Sequence, residues 1–169
     1  MKVELAEIEP EIWRSFRVPQ NHSLSRLHDI LQIAMGWSDS HLHQFFYADR
    51  DPIEEDEEYE ILLNTLFEKP GDQIVYQYDF GDSWEHYVIL ENVDEIEKNE
   101  SLPRLVDGKG TCPPEDIGGV WGYEEFLEAI NDPNHPSHDE MIDWYGGKFD
   151  PDAFDIESTN RRLKEELTD

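Results

Sequence analysis

His41 and His43, with His86 far along the chain beside Asp79 and Asp82, are the side chains whose types and spacing could do chemistry. Two histidines at i, i+2 and a third from another segment can hold zinc or a similar divalent cation. A neighbouring carboxylate can then act as ligand or general base. The competing reading is structural: polar ends of an aromatic cluster with Phe45, Tyr47, Trp84 and Tyr87. Cys112, followed by two prolines, is the one cysteine, so an intrachain disulfide and an all-cysteine metal site are excluded. Glu115 and Asp116 nearby oppose thiolate formation, which favours a packed thiol over a nucleophile. Asp79-Phe80-Gly81 spells a kinase triplet, but the other kinase motifs are absent and the plain reading is a turn that Asp82 stabilises. Trp37, Trp84 and Trp121 stand beside turn residues, where large aromatics either anchor loops or line a pocket.

The elements that must position these residues follow from periodicity. Val3 and Leu5, a turn at Glu9-Pro10, then the alternation Ile12, Arg14, Phe16, Val18 predict an opening hairpin. Ser23 as N-cap, Leu24, Leu27, Ile30, Leu31 and Ala34 at helical spacing, and Gly36 as terminator predict a helix. A strand over 41–47 places His41, His43, Phe45 and Tyr47 on one face. Residues 49–60 are expected to form an acidic, mobile surface loop, and 61–67 a short helix. Residues 74–80 and 84–90 predict a hairpin with Gly81 at the bend, and 102–119 a long irregular segment. Helices are expected over 123–131, from Ser137 or His138 to Tyr145, and over 156–167. Strands early and helices late give an α+β class with a largely antiparallel sheet. The opening hairpin and helix are also how a β-grasp fold begins. The length of 169 residues fits a single domain, 1–169.

Acidic residues number 41 and basic residues 13, a formal charge of −28. Spread over a fold of this size the net charges lie roughly 18 Å apart, beyond the Debye length of about 8 Å at physiological salt. Self-repulsion is therefore screened, while a phosphate backbone or an anionic bilayer still meets a repulsive surface. Direct nucleic-acid binding and membrane docking are not expected. Basic proteins, cations or a small molecule in a local pocket are. No apolar run is long enough to span a bilayer and the N-terminus lacks a signal-peptide core, so a cytoplasmic location is expected.

Several blocks in one order carry a resemblance: Ile12-Trp13-Arg14, Leu27-His28, Met35 through His43, Tyr78 through His86, Cys112 through Asp116, Gly118 through Tyr123, and Phe149-Asp150-Pro151. Together they closely resemble the plasmid pRiA4b ORF-3-like family, over nearly the whole chain. The resemblance implies a widespread prokaryotic family, in part associated with mobile elements and a resolvase label, without an established activity. A recombinase needs arginines around its nucleophile and a basic DNA face. This chain has only Arg50 between Arg26 and Lys69 and only Lys98 between Lys69 and Arg104, so recombination is not expected of it.

The functional expectation is a binding or accessory module. It recognises a protein or small ligand through the loops Trp37–His43, Gly81–His86 and Cys112–Trp121, with Trp37, His43, Trp84, His86 and Trp121 lining one shared region. The alternative is a metal-dependent, hydrolase-like enzyme holding a divalent metal with His41, His43, His86 and Asp79 or Asp82.

Overall fold

The computed structural model describes residues 1–96, 98 and 100–167. Its elements in chain order are β1 (Lys2–Leu5), β2 (Trp13–Arg17), α1 (Leu24–Met35), β3 (His43–Phe46), β4 (Pro52–Ile53), a 3₁₀ turn (Glu55–Glu57), α2 (Leu63–Leu66), β5 (Gln73–Tyr78), β6 (Trp84–Ile89), β7 (Arg104–Lys109), α3 (Gly119–Asn131), α4 (His138–Tyr145) and α5 (Ile156–Glu166). The strands make one sheet in the order β4-β3-β5-β6-β1-β2-β7, and the pairings are antiparallel. This is the α+β architecture expected from the sequence. The opening hairpin and helix are present, and the sheet then grows by antiparallel pairing alone.

Alternation decides which face of the sheet is covered. Val3, Leu5, Arg14, Phe16, Phe45, Ile74, Tyr76, Tyr78, Trp84, His86, Val88 and Leu105 are buried, while Lys2, Ser15, Gln77 and Tyr87 on the opposite face stay partly open. Helix α1 contributes Leu24, Leu27, Ile30 and Leu31 to the core, each fully buried and each stabilising by roughly 1.5–3 kcal/mol. Its ends are set as the sequence indicates: Ser23 Oγ accepts from the Arg26 amide at 3.2 Å, and Gly36 closes the helix at φ 89°. Helix α5 packs on α1 and β7, with Asp155 accepting from the Ser158 amide at 2.9 Å as its cap.

Three expectations are corrected. The acidic segment 49–60 is organised rather than loose: it holds β4 and the 3₁₀ turn, buries Ile53, and buries the Glu58 carboxylate against His43. The segment 102–119 contains β7, an edge strand with only Leu105 turned into the core. His41 lies outside β3 in a bend before it, so it does not share the strand face of His43 and Phe45.

Candidate functional site

Three loops meet at one end of the sheet: 37–42 after α1, 79–83 between β5 and β6, and 110–119 before α3. The first and second join through the Trp37–Trp84 stack, with ring centroids 5.9 Å apart, and through the Asp79 amide donating to the Leu42 carbonyl at 3.0 Å. Ser38 joins the first to the third: its amide and hydroxyl donate to Glu115 Oε1 at 2.7 and 2.9 Å. The Tyr78 hydroxyl donates to the same oxygen at 3.2 Å and accepts from the Ser40 amide at 3.1 Å. The second and third join where the Gly118 amide donates to Asp82 Oδ2 at 3.0 Å. Gly119 lies so close to this turn that a Cβ there would stand 2.6 Å from the Asp82 carbonyl oxygen. The turn itself is held by Asp79, whose Oδ1 accepts from the Gly81 and Asp82 amides at 2.8 and 3.3 Å. The turn-stabilising role expected of Asp82 thus belongs to Asp79, and Asp82 instead bridges two loops. Asp39, Asp79, Ser83 and Asp116 have φ between 54° and 58°, so non-glycine left-handed residues fall in each loop.

Behind the loops runs a closed hydrogen-bond ring. The Asp39 amide donates to Gln32 Oε1 at 2.9 Å, and Gln32 Nε2 donates to the Tyr76 hydroxyl at 2.8 Å. Tyr76 then donates to His28 Nδ1 at 2.8 Å, and His28 Nε2 donates to Asp39 Oδ1 at 3.1 Å, a direction fixed for a neutral imidazole by the acceptor-only Asp39 carboxylate. Burial drives the Tyr76 pKa up and, with His43 second, the His28 pKa down, so both sit neutral at pH 7. The ring ties loop 37–42 to α1 and β5.

The sequence-predicted residues divide among three environments. Trp37, Trp84 and His86 are almost wholly buried together, Trp37 standing edge-on to His86. Among the described residues they share no cavity: Trp37 alone edges a cleft, with Arg26, Ser38 and Asp39. His43 stacks on His28 at 3.7 Å and bonds Glu58 at 3.0 Å, in the layer under the ring. Trp121 is 84% exposed. The shared pocket expected of these five therefore gives way to a packed base with one projecting indole. The expected metal set is redistributed as well. Among the described residues, His41, Asp79 and Asp116 present ligand atoms within 4.8 Å of one another, whereas His43 and His86 are committed to Glu58 and to the Tyr76 carbonyl and Asp82 to Gly118. Asp116 and Glu115 as partners of His41 were not foreseen; the acidic pair beside Cys112 was the available signal. Cys112 is packed as expected of a structural thiol, its Sγ accepting from Arg14 at 3.5 Å, and burial pushes its pKa up to about 11.

His86 yields a pH prediction. Its Nδ1–H donates to the Tyr76 carbonyl at 3.2 Å, Nε2 has no partner, and burial pushes its pKa down to about 4. The folded pKa lies below the ordinary 6.5, so the unfolded chain binds the extra proton first. This contribution to stability is complete above pH 6.5 and is lost as pH falls from 6.5 towards 4. At about 1.36 kcal/mol per unit it amounts to roughly 3 kcal/mol. Urea unfolding of wild type and His86→Asn at pH 7 and pH 4 should show the variant losing about that much less; equal losses would contradict the burial of a neutral imidazole.

Comparison with known proteins agrees with this architecture. The model of the plasmid pRiA4b ORF-3-like protein family matches residues 1–158. The chain is 39% identical, over 96% of its length and 89% of the relative's, to the uncharacterised protein y4hQ of Sinorhizobium fredii. It is similar in structure to a protein of unknown function, MM3350, from Methanosarcina mazei Go1: TM-score 0.85, 36% identity, covering 93% of this chain and 94% of the other.

Proposed function

The chain belongs to the plasmid pRiA4b ORF-3-like family, and from that premise we propose that it is a recognition module whose three-loop face docks a basic segment of another protein. The observation that carries this reading is an exposed apolar residue on or beside each interlocked loop: Leu42 at 71%, Phe80 at 52% and Trp121 at 84% exposure. Leaving such side chains in water forgoes roughly 1.5–3 kcal/mol apiece. Backbone contacts gather their positions, since Leu42 accepts from Asp79 next to Phe80 and the Gly118-Gly119 pair before Trp121 rests on Asp82. Exposed aromatics on a rigid frame are the usual anchors of protein interfaces.

Charge selects the partner. Asp82, Glu115 and Asp116 edge the face in a molecule carrying −28, which favours lysine and arginine and disfavours nucleic acid or a second copy of the chain. A protein segment fits better than a small molecule because the exposed Leu42, Phe80 and Trp121 project from the face, while Trp84 and His86 are buried beneath it.

Selection from a random peptide library tests the reading. Enriched peptides should pair an aromatic or aliphatic residue with lysine or arginine, and their affinity should fall with rising salt. Trp121→Ala, at a position that contributes little to the core, should weaken them by at least about tenfold. Peptides without basic enrichment, or binding indifferent to Trp121, would contradict it.

A further inference from the structure

We infer that the same loop junction holds one divalent transition-metal ion on His41, Asp79 and Asp116. The inference shares Asp116 with the acidic edge of the docking face but is read separately, since its test uses Zn²⁺ alone and no peptide. His41 Nε2 lies 3.1 Å from Asp116 Oδ1, 3.6 Å from Asp79 Oδ2 and 3.6 Å from Glu115 Oε2. Ligand arms of 2.0–2.2 Å in a tetrahedron put neighbouring donor atoms roughly 3.3–3.6 Å apart, and an octahedron about 3.0 Å. The His41 spacings to Asp116 and Asp79 fall in this range, and the three donor atoms lie within 4.8 Å of one another.

An orphaned atom is the independent sign. His41 Nε2 is buried and makes no hydrogen bond, although three carboxylates stand around it. A ring nitrogen that close to acceptors yet misaligned for them is placed for a ligand between them rather than for any one of them. The Asp79 side chain is 9% exposed. Its Oδ1 is spent on the Gly81 and Asp82 amides, which aims Oδ2 at His41. Glu115 stands beside this set, with Oε1 held by Ser38 and Tyr78 and Oε2, which Tyr78 also reaches at 3.4 Å, lying 3.6 Å from His41. Outer bonds that fix each ligand's orientation are the usual second layer of a metal site. The donor set selects the ion: one imidazole with carboxylates suits zinc or manganese, whereas calcium and magnesium take oxygen-only sets.

The experiment is native mass spectrometry and calorimetric titration with Zn²⁺ alone as ligand, in a millimolar Mg²⁺ background that saturates diffuse acidic binding. Wild type should take up one Zn²⁺ per chain. His41→Gln should weaken it by more than the roughly 10–100-fold that outer-layer partners carry. Asp116→Asn, at a side chain 73% exposed and with an asparagine that tolerates the same left-handed backbone, should also weaken it. His135→Gln, whose imidazole accepts from the Ser137 amide away from the junction, should bind as wild type does. Absence of stoichiometric Zn²⁺ in the presence of Mg²⁺, unchanged binding in both junction variants, or equal loss in His135→Gln would overturn the inference.

Discussion

Replacing Arg14 with methionine should cost about 4 kcal/mol of stability, a large share of the roughly 5–15 kcal/mol that a domain of this kind possesses. Arg14 is 2% exposed. Its Nε donates to the Ala34 carbonyl at 3.0 Å; its two terminal nitrogens donate at 2.7 Å to the carbonyls of Trp13, Lys109 and Gly110, and the Phe154 ring covers the guanidinium at 3.8 Å. Its oxygen acceptors are main-chain carbonyls, so the variant leaves several buried acceptors without donors, at about 1–3 kcal/mol for each that water cannot reach. The bonds also have a positional consequence. Ala34 sits at the end of α1, just before loop 37–42, and Gly110 opens the loop that carries Glu115 and Asp116. One guanidinium therefore sets the spacing between two of the three loops. Arg14→Lys should fall between the two, because one ammonium cannot reproduce the planar fork. Urea denaturation checks this; a loss under about 1 kcal/mol for Arg14→Met would contradict the clamp.

Gly119→Ala should destabilise the fold by about 3 kcal/mol. At φ 71° an L side chain is strained by roughly 1–2 kcal/mol. The added Cβ would also meet the Asp82 carbonyl oxygen at 2.6 Å, and backbone on both sides must move to relieve it, an overpacking cost of about 1–3 kcal/mol. Gly118 is the control. Its φ is 96°, but a Cβ there meets only the Gly122 Cα, at 3.7 Å, so Gly118→Ala should show the conformational cost alone. The difference between the two midpoints measures how tightly loop 79–83 presses on the start of α3. Equal effects would mean that the two loops do not lean on each other.

Much of this was legible because it is local. The leucine stripe of α1 between Ser23 and Gly36, and the alternating arms of β5 and β6, carry their own instructions. The meeting of the first two loops was also readable, since tryptophan beside turn residues needs a neighbour to cover it and Trp37 and Trp84 cover each other, whereas Trp121 of the third stays uncovered. What stayed hidden depends on partners distant in sequence. Glu58 is buried in an otherwise exposed acidic stretch only because His43 meets it across the fold. β7 is an edge strand whose Gly108 looks like a loop residue; glycine is required there because a Cβ would lie 2.4 Å from the Phe154 ring. His86 was grouped with His41 by residue type, yet strand register aims it into the core against Tyr76, while the bend at 39–42 carries His41 to the acidic loop. Trp121 projects because it lies on the outer side of the first turn of α3, opposite Tyr123 and Phe126, which are buried.

The most direct test of the three-loop face uses the five indole N–H signals of Trp13, Trp37, Trp84, Trp121 and Trp144. They should be followed by ¹⁵N–¹H spectroscopy while a library-selected basic peptide is titrated into the wild-type protein. The account predicts that the Trp121 signal shifts most and saturates with the binding isotherm, that Trp37 and Trp84 in the base beneath shift less, and that Trp13 on the open face of the sheet and Trp144 on α4 stay in place. Saturating shifts centred on Trp13 or Trp144, with Trp121 unmoved, would put the recognition surface elsewhere and contradict it.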